Sequence, residues 1–163
     1  MQFSVAKLLG STAFVAIGLA ALASASHLLA SAFLSVTILA LCAAVMGAIV
    51  TSGAARAFWL AFLLFAGVHL LLTLGPWLDD VTGEILLSRL AIDALGRAMG
   101  QDVADHQRMP GVWLNLPYAT AGSSYGFLNF VVIGQCWFSL ALGCVAGELA
   151  GFFAGRASGE RRR

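Results

Sequence analysis

Two ionisable side chains stand inside long apolar stretches of this sequence and are the first candidates for chemistry. His69 lies in the stretch Ala57–Gly75 and Glu148 in the stretch Phe127–Ala154. Ionisable groups at membrane depth are costly, so each is a hypothesis for a proton, ion or ligand site. Counted along helices, each lies about 9 Å from one end of its stretch, but on opposite sides of a bilayer. We therefore expect each to have a local partner rather than to form a proton relay.

A ligand bound at His69 would need further donors. His27 and Gln135 are the candidates, and with His69 they would suit a metal or a haem held by imidazole. Two histidine ligands of one haem must lie at matched depth on facing helices, whereas His27 falls in a predicted turn. We predict no metal-binding, cofactor-binding or catalytic residue. His69 and Glu148 are kept as an intramembrane polar site, with Gln135 or a serine as the expected partner of the imidazole.

One short motif raises the question of an enzyme. The segment Gly122–Gly126 matches the G-x-S-x-G pattern of a serine nucleophile. That motif requires a strand-to-helix turn in an α/β sheet, and here it precedes an apolar helix instead. The sequence also lacks a phosphate-binding loop, a metal-binding His-Glu pair and a cysteine cluster. We predict that the protein is not an enzyme.

The last apolar stretch carries small and polar residues at four-residue spacing. Such residues share one slowly drifting face of a helix, and glycine on that face lets a second backbone approach closely. In lipid, apolar burial does not drive helix association, so close contact is a main source of packing energy. The predicted helix-packing seam consists of Gln135, Ser139, Gly143, Gly147, Gly151 and Gly155.

Composition sets the fold class of the elements that must position these residues. Hydrophobic residues make up 60% of the 163 residues and charged residues only 10%, against about a quarter charged in soluble proteins. We predict an all-α integral membrane protein in the lipid bilayer. A net charge of +1 without a basic stripe gives no footprint for nucleic acid, which is not predicted as a partner.

Four membrane spans are predicted. Residues 8–55 contain no Asp, Glu, Lys or Arg, and one helix of that length would measure about 70 Å against a hydrocarbon core of about 30 Å. The stretch must turn once, and the cluster of Ser24, Ser26 and His27 predicts a tight helical hairpin. The prediction is one membrane domain, residues 1–163, with spans at about 8–25, 28–50, 57–75 and 127–154.

An alternative for residues 1–25 is a cleaved secretory signal. Lys7 precedes an apolar run that ends in Ala23-Ser24-Ala25, which fits a small-residue cleavage site. The following helix would start outside in either case, so the remaining topology does not depend on the choice.

A long loop, residues 76–126, precedes the last span. Within it, Glu84–Met99 predicts an amphipathic helix with Arg89, Asp93 and Arg97 on one stripe. Its wide apolar arc suits a helix that lies on the outer face of the membrane or caps the bundle.

The distribution of basic residues predicts the orientation. Six lie on one side of the predicted membrane and three on the other. The six are Lys7, Arg56, Arg156, Arg161, Arg162 and Arg163, and the three are Arg89, Arg97 and Arg108. We predict a protein of the cytoplasmic (inner) membrane, with both termini in the cytoplasm and the long loop outside.

Several segments resemble a group of uncharacterised bacterial multi-pass membrane proteins with four helices. They are Phe3–Val5, Arg56–Phe62, Gly75–Trp77, Leu86–Leu90 and Phe130–Gly134. The resemblance spans most of the chain and implies a four-helix membrane protein. No activity is assigned to that group, so no catalytic or binding residue transfers from it.

The predicted function is that of a structural, assembly or accessory subunit that packs through the glycine seam. Its partner would be a second copy or another membrane protein. The alternative is a component of a small oligomeric transporter or channel, in which His69, Gln135 and Glu148 line a path.

Overall fold

The computed structural model describes residues 5–74, 87–98 and 124–160. Within these ranges the chain is helical apart from the connections 24–26 and 51–52, and it contains no strand. The helices are α1 (Val5–Ala23), α2 (His27–Val50), α3 (Gly53–Leu74), α4 (Leu87–Ala98) and α5 (Ser124–Glu160). The predicted all-α fold is confirmed for this part of the chain.

Three stretches are long and apolar enough to cross a membrane: His27–Val50, Gly53–Thr73 and Asn129–Ala157. They overlap three of the four predicted spans. The apolar part of α1, Leu8–Ala23, is shorter, about 24 Å at 1.5 Å per residue against a hydrocarbon core of about 30 Å. The structure therefore supports three candidate spans, and the fourth span, at 8–25, stays a prediction.

The hairpin between α1 and α2 lies at the predicted position. Ser26 caps α2, because its hydroxyl oxygen accepts the backbone N–H of Leu29 at 3.3 Å. This bond satisfies one of the N–H groups that have no partner at the start of a helix. His27 is the first residue of α2 rather than part of the turn.

The connection between α2 and α3 is equally short. The backbone N–H of Thr51 donates to the carbonyl of Gly47 at 3.0 Å and closes the last turn of α2. Gly53 then begins α3 with a φ of 63°, in the left-handed region where glycine avoids the strain of a Cβ atom. A side chain at this position would strain the turn that lets α3 fold back on α2.

The last helix is the central element of the described structure. It contacts each of the other four helices, and its contact with α3 is the most extensive. In the apolar window of α5, 56% of the residues are buried, against 17% for α2 and for α3. A substitution on α5 is therefore more disruptive, on average, than one on α2 or α3.

Two apolar clusters fill the core on either side of a level near the middle of α2. The first cluster joins α1, α2, α4 and α5, and its largest fully buried side chains are Leu22, Ile92 and Phe130. The second joins α2 and α3 through Ala44, Phe62 and Ala66, with Leu140 of α5 packed against it.

The amphipathic helix predicted at Glu84–Met99 contains α4. Ile92 anchors α4, since it is only 1% exposed and packs on Gly134 of α5. Its partners lie in the first cluster, so α4 covers that end of the bundle. The rest of the predicted loop lies outside the described residues, except for the start of α5 at Ser124.

Candidate functional site

The glycines of α5 lie against α3 in an antiparallel register. A Cβ atom placed on Gly143 would lie 2.8 Å from the Cβ atom of Ala66, and one on Gly147 would lie 2.8 Å from the ring of Phe58. Real Cβ atoms essentially never come so close to other atoms, so the missing side chains allow this helix separation. Each step of four residues towards the C-terminus of α5 moves the contact about four residues back along α3.

The other two seam glycines have more room. A Cβ atom on Gly151 would lie 3.4 Å from the carbonyl oxygen of Ala54, and none of the described atoms lies within 4 Å of one on Gly155. Because α3 begins at Gly53, α5 has already passed the end of α3 where Gly155 occurs. Among the described residues, the seam against α3 comprises three glycines.

A complementary stripe on α3 is present in the sequence, but the prediction missed it. It also advances by about one helical turn per residue, and it presents alanines and phenylalanines to the glycines of α5. Towards the C-terminus of α3 the same stripe becomes polar. Its members are Ala54, Phe58, Phe62, Ala66, His69 and Thr73.

Between the two apolar clusters lies a set of buried polar side chains, which we call the polar layer: Thr37, His69, Thr73, Gln135 and Ser139. Thr37 and Ser139 are fully buried, Gln135 is 3% exposed and His69 is 9% exposed, while Thr73 is half-buried. The layer therefore combines His69 with the two polar residues of the predicted seam.

A cross-helix hydrogen bond joins α3 to α5 within the polar layer. The Nδ1 atom of His69 lies 2.8 Å from the Oγ atom of Ser139. The same hydroxyl donates to the carbonyl oxygen of Gln135, also at 2.8 Å. A serine was one of the two partners expected for this imidazole, and it is the partner observed.

Counting hydrogens fixes the tautomer of His69. The Ser139 hydroxyl has one hydrogen, and the carbonyl oxygen of Gln135 can only accept it. The Nδ1 atom of His69 must therefore donate its hydrogen to Ser139. In the neutral ring the other nitrogen, Nε2, then carries a lone pair and can act only as an acceptor or a base.

The hydroxyl groups of the polar layer spend their hydrogens on their own helices. Thr37 donates to the carbonyl of Phe33 and Thr73 to that of His69, both at 2.8 Å. Such bonds to the preceding turn are the usual choice of serine and threonine inside helices. The Oε1 atom of Gln135 is buried and finds no donor among the described residues. The layer is therefore rich in acceptors and poor in donors.

Glu148 is not part of the polar layer. It is exposed on α5, nine residues from Ser139 and hence about 14 Å further along the helix. The two members of the predicted polar site are thus far apart, as their depths in the sequence indicate. His27 is also exposed, at the start of α2.

No metal centre forms in the described ranges. The residues there contain no group of three or more His, Cys, Asp or Glu side chains that could hold an ion. Cys136 is fully buried beside Thr37, whereas Cys42 and Cys144 are exposed on the helix surfaces. The candidate motif Gly122–Gly126 lies largely outside the described residues.

Two glycines that the prediction missed receive tryptophans from neighbouring helices. Gly18 of α1 lies against the ring of Trp137, and Gly47 of α2 lies against the ring of Trp59. Phe14 adds a stacked contact to Trp137, with 5.9 Å between ring centroids. These contacts attach α1 to α5 and α2 to α3, and a Gly-to-Trp match between helices has no signature in a single sequence.

Comparison of the chain with protein-family models, with curated proteins and with solved structures finds no match. The resemblance to bacterial four-helix membrane proteins therefore stays an expectation from the sequence. Function has to be argued from the polar layer and from the surfaces that the bundle leaves open.

Proposed function

We propose that the protein is a structural, assembly or accessory subunit of the cytoplasmic (inner) membrane, without catalytic activity of its own. It crosses the bilayer four times, through α1, α2, α3 and α5, with both termini in the cytoplasm. The distribution of lysine and arginine supports this orientation. Its partner is a second copy of the chain or another membrane protein.

The seam on α5 supports this proposal as an internal scaffold. Gly143 and Gly147 are occupied by Ala66 and Phe58 of α3, so these positions hold the bundle together. A partner that packs on the same face of α5 would have to displace α3. The partner surface therefore lies on another helix.

The observation that carries the proposal is a shallow groove of about 380 Å³ on α1. It is lined by Ser11, Thr12, Val15, Ala16 and Leu19. Small side chains on a membrane helix let a second backbone approach closely, which is how such helices associate in lipid.

The groove is prepared to receive an apolar partner. The hydroxyls of Ser11 and Thr12 both donate to the carbonyl of Leu8 at 2.9 Å, so their hydrogens are already paired. α1 is also the least embedded of the apolar helices, since only its far end, with Ala21 and Leu22, enters the core. A transmembrane helix of a partner fits this surface better than a charged segment does.

The proposal is tested by the native mass of the purified protein in a mild detergent and by what co-purifies with it. Ala16→Leu fills the groove and should remove the partner or lower the oligomeric state, with thermal stability unchanged. Ala43→Leu is the matched control, because Ala43 is an exposed alanine in the middle of α2. A wild-type protein that is monomeric and free of partners would contradict the proposal, as would equal effects of the two variants.

The polar layer supports a second candidate, a component of a small oligomeric transporter or channel. Buried polar side chains at membrane depth commonly mark ion or solute pathways. In this arrangement His69 and Gln135 would belong to the path, whereas Glu148 would contribute only at its surface. Flux of ions or small solutes into liposomes that is lost in Gln135→Leu would favour this function. Loss in Glu148→Gln alone would place the path outside the polar layer.

A further inference from the structure

The polar layer has more acceptors than donors among the described residues. The tautomer of His69 leaves a lone pair on Nε2, and Oε1 of the 3% exposed Gln135 is without a donor. The hydroxyls of Thr37, Thr73 and Ser139 have already given their hydrogens to backbone carbonyls. A buried acceptor without a donor costs free energy comparable to a lost hydrogen bond.

The two acceptors lie close enough to share one small molecule. Ser139 receives the hydrogen bond from His69, and Gln135 lies one turn away on the same face of α5. One turn is about 5.4 Å, which is also the span of two hydrogen bonds of about 2.7–2.8 Å through a single donor. Apolar side chains of the first and second clusters enclose this level from both ends.

We propose that the polar layer binds a small hydrogen-bond donor, which donates to Nε2 of His69 and to Oε1 of Gln135. The ligand class is a molecule with two or more O–H or N–H groups and little bulk. Water and the ammonium ion are the two sources of this chemistry. Neither a metal ion nor a carboxylate fits, because the layer offers no cluster of metal-ligating side chains and no cation among the described residues.

The direct test is solid-state NMR of the protein in liposomes, with ¹⁵N-labelled histidine and glutamine. We expect His69 to show a protonated Nδ1 and an unprotonated Nε2, with the tautomer fixed by Ser139. Polarisation from water protons should reach Nε2 of His69 and the amide of Gln135. A shift of the Nε2 resonance that saturates with ammonium chloride, but not with sodium chloride, identifies ammonium instead of water. The absence of both responses, or a proton on Nε2, would overturn the proposal.

A pair of variants tests the site independently. Gln135→Met keeps the length of the side chain and removes the acceptor. If a donor pairs with Oε1, this variant lowers the melting temperature and abolishes the response at His69. If Oε1 is unpaired, it raises the melting temperature, and the proposal is wrong. Thr37→Val is the control, because the Thr37 hydroxyl is paired with Phe33 in its own helix. Loss of the His69 response in this control would also count against the site.

Discussion

Replacing Gly143 with alanine tests whether close packing between α3 and α5 holds the bundle together. The new methyl group would lie 2.8 Å from the Cβ atom of Ala66 and 2.9 Å from the ring of Phe62. The Cβ atom of Ala66 is fixed to its backbone, so the clash cannot be relieved by rotation of a side chain. The helices would have to separate along the stretch where their contact is most extensive.

The expected magnitude follows from two opposing terms. Overpacking a close-packed contact costs about 1–3 kcal/mol, while alanine gains up to about 1 kcal/mol over glycine in a helix. Gly155→Ala receives only the second term, because nothing described lies within 4 Å of its new methyl group. The difference between the two variants cancels the helix term. We therefore expect Gly143→Ala to be less stable than Gly155→Ala by about 1–3 kcal/mol.

Equilibrium unfolding in mixed micelles gives the free energies for this comparison. Ala66→Gly in the Gly143→Ala background removes the methyl group that the new one meets, so the double variant should regain much of the lost stability. Two variants equal within about 0.5 kcal/mol, or a double variant without recovery, would refute the packing argument. Gly151→Ala should fall between them, since its methyl group would meet only ordinary contacts at 3.4 Å and beyond.

Two further predictions use the same unfolding measurement. Ser139→Ala removes the hydrogen bond to His69 and should cost about 0.6 kcal/mol, and at most about 1.7 kcal/mol. Ser35→Ala should be neutral, because that exposed hydroxyl donates only within its own helix; equal losses would show that the cross-helix bond contributes nothing. Gly18→Val pushes the tryptophan of α5 off α1 and should cost about 1–3 kcal/mol. Gly10→Val, with nothing described within 4 Å of its Cβ position, should leave stability unchanged, and a loss of similar size there would contradict the contact.

The parts of the fold that depend on local patterns could be predicted from the sequence. The apolar stretches, the Ser26 cap and the four-residue spacing of glycine along α5 are each set by residues close together in the chain. They predicted the all-helical architecture and the helix that contacts the other four. The predicted fourth crossing by α1 depends on a stretch near the minimum length for a span.

The pairing between helices could not be predicted in the same way. A helix that is apolar on every side gives no amphipathic pattern to show which face is buried. Gly143 and Gly155 look alike in the sequence, and only the start of α3 at Gly53 separates the packed glycine from the unpacked one. Likewise, Gln135 or any serine could have been the partner of His69 until the register of α3 against α5 was known.

The repeat on α5 also has a consequence for how the helices find their alignment. A ladder of glycines at equal intervals is nearly unchanged when it slides by one turn, about 5.4 Å, so shape alone leaves several alignments almost equivalent. His69 meets Ser139 in only one of them. After a one-turn slip the imidazole would face either Gly143 or Gln135, and its hydrogen bond to the hydroxyl would be lost. A single polar contact thus removes a translational degeneracy that the glycines alone would leave, which is the role of a locating pin in a sliding joint.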